Sequence, residues 1–484
     1  MPAIEHFGVV VVGAGISCIG AACQLKERCP DRSFVVLERR ERLGGTWDLF
    51  RYPGIRSDSD MHTLGFRFKP WNAQKAIADG PAILDYLQDT SAEHDIDPHI
   101  RFGHSVAHAA WSTAEARWTL TVARTGSEAP VTLTCDFLFM CSGYYDYQDG
   151  YTPEFPGLDR FSGPIVHPQH WPASIDLAGR RVVVIGSGAT AVTLVPELAK
   201  KATHVSMLQR SPTYIVNLPS EDRIANTLRR WLGDRIAYFL TRWKNVLLAR
   251  LFFDLSQRFP AMMKKLIRRG VRRELGKNYP VDEHFAPDYK PWDQRVCVVP
   301  DADLFDAIRS GSASVVTDHI DTFTETGVRL RSGSTLEADV IVTATGLVLQ
   351  VFGGMTVTID GSEFSPPDTM CYKAMMFSDV PNLAISFGYT NASWTLKADL
   401  TSEYVCRVLN HMSRQGYRCA TPRQRDASAT EEPFLRFTSG YVQRALPILP
   451  KQGAHWPWRL YENYLLDMLR IRYGRVDDGV MEFR

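Results

Sequence analysis

Short runs of apolar residues without polar alternation recur along the chain, and each run has the length of a single strand. Such runs are typical of strands that are covered on both faces of a parallel sheet. Segments with apolar residues at helical spacing follow several of them, so the pattern predicts an α/β fold. The predicted buried strands are residues 9–12, 34–37, 137–145, 181–185, 205–208 and 339–346.

A glycine-rich turn separates the first predicted strand from a predicted helix at residues 19–28. The turn reads Gly13-Ala14-Gly15-Ile16-Ser17-Cys18, with Cys18 in the third glycine position, and the next strand ends at Glu38. Such a turn lets a pyrophosphate sit at the helix N-terminus, while Glu38 can accept hydrogen bonds from a ribose diol. A glycine turn that binds nothing is the alternative, but the βαβ context favours a dinucleotide site.

A second turn of the same type follows the strand at residues 181–185. It reads Gly186-Ser187-Gly188-Ala189-Thr190-Ala191, and the next strand ends before Gln209-Arg210-Ser211 instead of at an acid. A guanidinium at Arg210 suits the 2′-phosphate of NADP, whereas Glu38 would repel one. A surface arginine without a ligand is the alternative; its place at a strand end favours the phosphate.

Two dinucleotide sites on one chain predict electron transfer between two cofactors, and FAD with NADPH is the simplest pairing. The late strand at residues 339–346 would let C-terminal sequence complete the first unit around an inserted second one. We therefore predict two nested Rossmann-type domains, with FAD held by residues 1–150 and 340–484 and NADP held by residues 151–339. The second domain includes a helical insertion at about residues 216–290.

The insertion is apolar, helical in its spacing and strongly basic. Residues 223–277 contain fifteen Lys and Arg, against Asp234, Asp254 and Glu274. Such a segment can lie on a membrane surface or bind a polyanion. Alternatively, it packs its apolar side on the core and leaves a solvated basic side. We favour this second interpretation because acids elsewhere balance the charge.

Composition narrows the remaining classes of function. The net charge at pH 7 is +1, which gives no overall electrostatic basis for nucleic-acid binding. The nine cysteines include no C-x-x-C pair, so no zinc or other metal site is expected. Their odd number and irregular spacing indicate reduced thiols in a cytoplasmic protein. Peripheral membrane contact through the basic insertion stays open.

Two further motifs carry a resemblance to a known family. The segment GGTWDLFRYPGIRSDSD, residues 44–60, matches G-G-x-W-x(4)-[FY]-P-G-x(3)-D up to Asp58. The segment FSGPIVHPQHWP matches F-x-G-x(3)-H-x(3)-W-P, with Phe161, Gly163, His167 and Trp171 at the defined positions. Together with the two glycine turns in this order, they make the chain similar to the type I Baeyer–Villiger monooxygenases, which are class B flavoprotein monooxygenases.

The resemblance implies a set of site residues. Arg295, in PWDQRVCVVP, matches the family's active-site arginine, and Asp58 matches the carboxylate that orients it; a turn-forming aspartate is the alternative for Asp58. The implied FAD contacts are Gly13, Gly15, Ser17, Glu38, Gly45, Thr46, Trp47, Asp48, Leu49, Asp58 and Val106. The implied NADP contacts are Arg56, Ser57, Asp58, Gly186, Ser187, Gly188, Ala189, Thr190, Ala191, Val192, Thr193, Arg210 and Ser211.

In the same family, the segment that contains Phe161, Gly163, His167 and Trp171 links the two domains and couples their motion to oxygenation. His167 and Trp171 are then positioning residues that transfer no proton. The alternative for His167 is a simple turn cap.

The resemblance also implies a reaction. NADPH reduces the flavin, O2 adds to give a C4a-peroxyflavin, and a ketone becomes an ester or lactone, with thioethers and thioamides as sulfoxidation substrates. A fixed guanidinium would keep the bound oxygen anionic. Two alternatives stay open: a monooxygenase that mainly oxidises sulfur or nitrogen, and an NADPH oxidase or flavin reductase without oxygen transfer.

Overall fold

The computed structural model describes residues 4–426 and 430–484. Its larger sheet has nine strands, and five of them run parallel. These five lie in the order Ile100–Arg101, Phe34–Leu37, Glu5–Val12, Val131–Met140 and Leu383–Ile385. Val131–Met140 also pairs with Arg117–Arg124, and from there the sheet continues through His104–Ser112, Thr356–Ile359 and Ser362–Glu363.

The second sheet has five parallel strands. Their order is Ala313–Thr317, His204–Gln209, Arg181–Ile185, Val340–Thr343 and Ile165–Val166. Two parallel sheets with intervening helices confirm the predicted α/β class. Because Val340–Thr343 pairs with Arg181–Ile185, the predicted domain border at residue 340 falls inside this sheet. The domain division itself stays a prediction.

The remaining elements are helices and short ladders. The helices are Ile16–Arg28, Thr46–Leu49, Met61–Leu64, Gly80–Glu93, Ala189–Leu198, Arg223–Leu232, Asp234–Arg258, Pro260–Leu275, Val281–His284, Asp303–Arg309, Trp394–Gln415, Gly440–Ala445 and Tyr464–Asp467. The ladders pair Tyr145–Gly150 with Leu347–Leu349, Ile215–Leu218 with Cys297–Pro300, Cys371–Tyr372 with Met376–Phe377, Ala420–Pro422 with Met481–Phe483, and Glu431–Pro433 with Lys451–Gly453. A three-stranded ladder joins Ile320–Thr324, Gly327–Leu330 and Thr335–Glu337.

Alternating side chains of the larger sheet build two cores. Val9 and Val11 are fully buried against the helices Ile16–Arg28 and Trp394–Gln415, whereas Val10 is fully buried on the opposite face. Burial on both faces is what the uninterrupted apolar runs predicted. The packing fixes the carboxyl ends of the strands, where parallel sheets bind their ligands.

Several element borders differ from the predicted ones. The first helix begins at Ile16 instead of residue 19, because the turn ends at its N-cap, Gly15. The strand predicted at residues 137–145 ends at Met140, since the next residues turn into a cavity. The strand predicted at residues 339–346 is Val340–Thr343.

The chain crosses between the two sheets twice. It leaves the larger sheet through Tyr145–Gly150 and returns through Leu347–Leu349, and these two strands pair antiparallel. The joint between the sheets is therefore a two-stranded ribbon.

The insertion consists of three main helices, Arg223–Leu232, Asp234–Arg258 and Pro260–Leu275. Side chains such as Tyr238, Arg242 and Ile267 are buried against the rest of the protein. Large apolar side chains are nevertheless exposed on the opposite side, so the favoured interpretation of an apolar side packed on the core describes only half of the insertion. Among the residues that the structure describes, no helix has both the length and the hydropathy that crossing a membrane requires.

Candidate active site

A cavity of about 300 Å³ lies where the strands Glu5–Val12 and Phe34–Leu37 end. Gly13 adopts a φ of +97°, and a Cβ there would lie 2.7 Å from the carbonyl oxygen of Cys141. A Cβ on Gly45 would lie 2.9 Å from the Cα of Gly15. These glycines thus let separate backbone segments meet and leave the space beside them open for a ligand.

The predicted FAD site has the groups that a dinucleotide requires. The helix Ile16–Arg28 starts at Gly15 without a side-chain cap, so its first N–H groups are available to an anion. Glu38 is buried and its carboxylate accepts the backbone N–H groups of Ala14 (2.6 Å) and Arg40 (2.9 Å). Burial raises the pKa of Glu38. Glu38 therefore shapes the turn itself and also lines the cavity.

Most of the other predicted FAD contacts line the same cavity. Ser17, Thr46, Trp47 and Val106 contribute to its wall. In the part of the chain that the structure describes, Asp48 and Leu49 do not line this cavity. The buried carboxylate of Asp48 instead forms ion pairs with Arg40 (2.5 Å) and Arg51 (2.6 Å). Arg42 Nε also lies 3.5 Å from Asp48 Oδ1, so this carboxylate pairs with three arginines beside the cavity.

Arg295 and Asp58 form a two-pronged ion pair across 237 residues of sequence. Arg295 Nε lies 2.8 Å from Asp58 Oδ2, and Nη2 lies 3.1 Å from Oδ1. The carboxylate of Asp58 holds the pKa of Arg295 above its usual value. A guanidinium in this fork stays charged and keeps one orientation.

A strained turn precedes Arg295. Trp292 adopts a φ of +74°, which is unusual for a bulky side chain. The carbonyl of Asp293 in this turn accepts hydrogen bonds from Thr438 N (2.9 Å) and Thr438 Oγ1 (3.0 Å). The C-terminal part of the chain therefore holds the turn from which Arg295 projects.

A second cavity, of about 1000 Å³, lies on the other side of the ion pair. Asp58 and Arg295 line both cavities. Most of the second wall is apolar and comes from the insertion helices, with Leu251, Phe252 and Met263 among its members. The ion pair therefore lies between the first cavity and the second, largely apolar cavity, which we call the chamber.

The second glycine turn shows the same construction as the first. Gly186 has a φ of +137°, and a Cβ there would lie 2.3 Å from the carbonyl oxygen of Ala344. Gly188 is the N-cap of the helix Ala189–Leu198 without a side-chain cap, so its first N–H groups are free for an anion. Ser187 donates to the backbone oxygen of Ser211 (3.3 Å).

The predicted NADP contacts divide into three groups. Arg56, Ser57, Asp58, Ala189, Thr190 and Thr193 line the first cavity. Ala191 and Val192 are buried in the core of the second sheet. Arg210 and Ser211 are exposed, and within the described part of the chain the Arg210 side chain makes no hydrogen bond or ion pair. A free guanidinium beyond a capless helix suits a phosphate.

The segment at residues 161–171 contacts the ribbon between the sheets. His167 Nδ1 accepts the N–H of Gln169 (3.2 Å), so Nε2 carries the proton and donates to the carbonyl of Gly346 (3.2 Å). Its ring packs on Gly150, and burial lowers the pKa of His167. His167 is therefore both a turn cap and a contact to each crossing strand.

Its neighbours continue this contact. Gln169 Nε2 donates to the carbonyl of Asp146 (3.0 Å), and His170 Nε2 bonds the carbonyl of Gln148 (2.6 Å). Phe161 is buried in the core of the second sheet, and Trp171 packs partly on that sheet. A Cβ on Gly163 would meet the carbonyl of Asp339 at 2.6 Å.

Several aromatic residues that line the first cavity were not predicted as site residues, and two of them stack on each other. Tyr144 stacks on Trp394 with ring centroids 5.1 Å apart, and Trp394 Nε1 donates to Ser17 Oγ (2.7 Å). Burial raises the pKa of Tyr144, so its hydroxyl stays protonated. Tyr144 lies at the carboxyl end of the strand predicted at residues 137–145, which was an available signal; Trp394 lies 377 residues from Ser17, and no sequence signal pointed to it.

The longest insertion helix is attached directly beside Asp58. Buried Arg242 donates from Nη1 to the carbonyls of His62 (2.8 Å) and Gly65 (2.7 Å). Asn245 Nδ2 donates to Asp60 Oδ1 (2.8 Å), two residues after Asp58. A hydrogen bond therefore connects a helix of the chamber wall to the chain segment that carries Asp58.

Known proteins resemble this chain in both sequence and fold. The family model described as flavin-binding monooxygenase-like matches residues 75–360, and the NAD(P)-binding Rossmann-like domain matches residues 11–78. The FAD-containing monooxygenase EthA of Mycobacterium tuberculosis is 56% identical over 480 residues, 99% of this chain and 98% of that protein.

Solved structures agree with the fold. The oxidized steroid monooxygenase bound to NADP superposes with a TM-score of 0.77 at 20% identity, covering 99% of both chains. The open crystal structure of cyclohexanone monooxygenase gives a TM-score of 0.76 at 20% identity, covering 99% of this chain and 100% of the other.

Proposed function

Because the chain belongs to the flavin-binding monooxygenase-like family, we propose that it uses NADPH and O2 to convert ketones into esters or lactones. The coarser function is confirmed: the protein is a flavin monooxygenase, an oxidoreductase with FAD and NADP as its cofactors. Electron donation by NADPH, the ketone reaction and sulfoxidation of thioethers and thioamides belong to the proposal.

One observation carries the proposal: a permanently charged guanidinium stands in the partition between the cofactor cavity and the apolar chamber. Reduced flavin supplies activated oxygen when it is bound. Asp58 holds Arg295 in a two-pronged pair, so the cation is in place before the reaction and need not reorient. A fixed positive charge stabilises an anionic oxygen nucleophile, which is the form that attacks a carbonyl carbon.

The chamber suits an apolar substrate with one polar group. Its wall is mainly apolar, and its volume of about 1000 Å³ admits a molecule larger than a simple cyclic ketone. Such a wall also excludes water from the oxygen-transferring side. Tyr144 and Trp394 line the first cavity, which lies on the other side of the pair.

A substrate panel tests the proposal. Linear, cyclic and aryl ketones, thioethers, thioamides and tertiary amines are incubated with the holoenzyme, and products are quantified per NADPH consumed. Esters or lactones at near-stoichiometric yield are expected. Sulfoxides or N-oxides with no ester would favour the sulfur- and nitrogen-oxidising alternative, while hydrogen peroxide alone would favour the oxidase.

A further inference from the structure

The insertion leaves a large apolar surface exposed. Twelve of the twenty large apolar side chains that are exposed in the described residues lie within residues 224–266. We call this surface the insertion face; it consists of Ile224, Trp231, Leu232, Ile236, Phe239, Leu240, Leu247, Leu248, Leu251, Phe259, Met262 and Leu266. A concentration of this kind marks a surface that contacts a partner or a membrane.

The exposed side chains of the longest helix follow helical spacing. Ile236, Phe239, Leu240, Leu247 and Leu251 recur at intervals of three, four or seven residues, so they form one stripe. Buried Ala237, Thr241 and Arg242 occupy the opposite side of the helix. The protein therefore covers one side of the helix and leaves the apolar stripe on the other side exposed.

Unpaired cations surround the stripe. Within the described part of the chain, eight exposed cationic side chains between residues 223 and 277 make no hydrogen bond and no ion pair: Arg223, Arg230, Arg235, Arg258, Lys265, Arg269, Arg273 and Lys277. Exposed aromatic and aliphatic side chains beside unpaired Lys and Arg are typical of helices that lie in the interface of an anionic bilayer. Trp231, 82% exposed, is the kind of side chain that prefers this depth.

The large chamber opens through the same face. Leu248, Leu251, Met262 and Leu266 are exposed and also line the chamber of about 1000 Å³. An apolar compound dissolved in a bilayer would reach Arg295 along this wall without crossing water. Asp58 and Arg295 form the inner end of the chamber.

We propose that the insertion face docks on an anionic lipid bilayer and turns the mouth of the chamber toward it. The docking step depends only on the surface; delivery of an apolar substrate through the mouth rests on the proposed monooxygenase function. The occupant is a lipid surface and not a polyanion, because the exposed stripe is apolar and the cations lie beside it.

Vesicle co-sedimentation of the full-length holoenzyme tests docking. Vesicles of equal parts phosphatidylglycerol and phosphatidylcholine are expected to bind the protein, with pure phosphatidylcholine binding far more weakly and added salt weakening the anionic case. Failure to sediment with the anionic vesicles at physiological salt overturns the proposal.

Two variants with matched controls locate the surface. Trp231→Ser/Phe239→Ser/Leu247→Ser is expected to weaken vesicle binding about tenfold, whereas Phe102→Ser/Ile448→Ser/Leu469→Ser changes equally apolar side chains elsewhere and keeps it. Arg230→Glu/Arg235→Glu/Arg269→Glu is expected to weaken binding about a hundredfold, whereas Arg124→Glu/Lys201→Glu/Arg331→Glu is expected to reduce it much less. Equal effects in variant and control would overturn the assignment.

Further measurements separate other occupants of the surface. If the apolar variant binds heparin and vesicles as tightly as the parent, the face is a polyanion site and the proposal is wrong. If light scattering shows an oligomer that this variant converts to a monomer, the face is an interface between copies of the chain. Turnover of a water-soluble substrate without vesicles is expected to be unchanged in the variants, so loss of docking is distinguishable from a failure of the proposed chemistry.

Discussion

Arg295→Ala removes the cation on which the proposed chemistry depends. A unit charge about 4 Å from a developing anion contributes about 4 kcal/mol at an effective dielectric constant near 20. That regime applies because the side chains of Arg295 and Asp58 are 36% and 27% exposed. Asp58, at 2.8 Å, neutralises part of the charge, so about 3 kcal/mol is the expected loss, or about a hundredfold in kcat for ester formation.

The assay follows two quantities in parallel: ester or lactone formed, and NADPH consumed with and without ketone. In Arg295→Ala, NADPH consumption is expected to stay within about twofold while hydrogen peroxide replaces the ester. Arg295→Lys, which keeps the charge but loses the fork, should retain intermediate activity, and the exposed Arg331→Ala serves as the control. Ester formation by Arg295→Ala at the parental rate would refute the reasoning, and equal loss of both activities would mean that Arg295 supports flavin reduction instead.

Three other predictions concern the glycine turn, the ribbon contact and the phosphate site. Gly13→Ala places a Cβ 2.7 Å from Cys141 O at a φ of +97°, and should cost about 1–3 kcal/mol more in unfolding free energy than Gly126→Ala. At Gly126 φ is also positive, but among the described residues no atom beyond the adjacent ones would lie within 4 Å of the new Cβ. Thermal denaturation measures the difference, and equal melting temperatures would contradict the packing argument. Burial lowers the pKa of His167 below 6.5, so the folded state binds fewer protons; the stability that neutral His167 contributes is present above pH 6.5 and is lost as pH falls below that value. His167→Gln should reduce the loss of stability between pH 7 and about 5, and an unchanged pH profile would argue against a buried neutral ring. Arg210→Ala should raise the KM for NADPH by about 10–100-fold while the KM for NADH changes little, since only NADPH carries the 2′-phosphate; equal changes would remove the phosphate assignment.

Apolar runs and glycine motifs in the sequence predicted the α/β class and the positions of both glycine turns. The two glycine turns lie where the apolar runs end. Gly13 and Gly186 both have a positive φ and lie close to the backbone just after a neighbouring strand, at Cys141 and Ala344. Arg295 and Asp58 are 237 residues apart, so their pairing depends on the whole fold and only the family resemblance pointed to it. The resemblance implied Asp48 as a flavin contact, and that role stays a prediction; the ion pairs of its carboxylate with Arg40, Arg42 and Arg51 had no signal in the sequence.

The insertion shows a different limit. Its apolar and basic content was visible in the sequence, yet helical spacing alone does not say which apolar side faces the protein. Buried Tyr238 and exposed Phe239 are neighbours in the chain and chemically alike. Contacts with distant segments, such as the carbonyl of Phe66 that accepts the Tyr238 hydroxyl at 2.9 Å, decide between them.

The attachment of the longest insertion helix at Arg242 and Asn245 has a mechanical consequence. Asn245 holds Asp60, and only one residue separates Asp60 from the carboxylate that aims Arg295. A tilt or slide of that helix would move Asp60, and with it Asp58, before it disturbed either sheet. A force on the outer surface of the helix would therefore change the orientation of Arg295, the proposed catalytic cation.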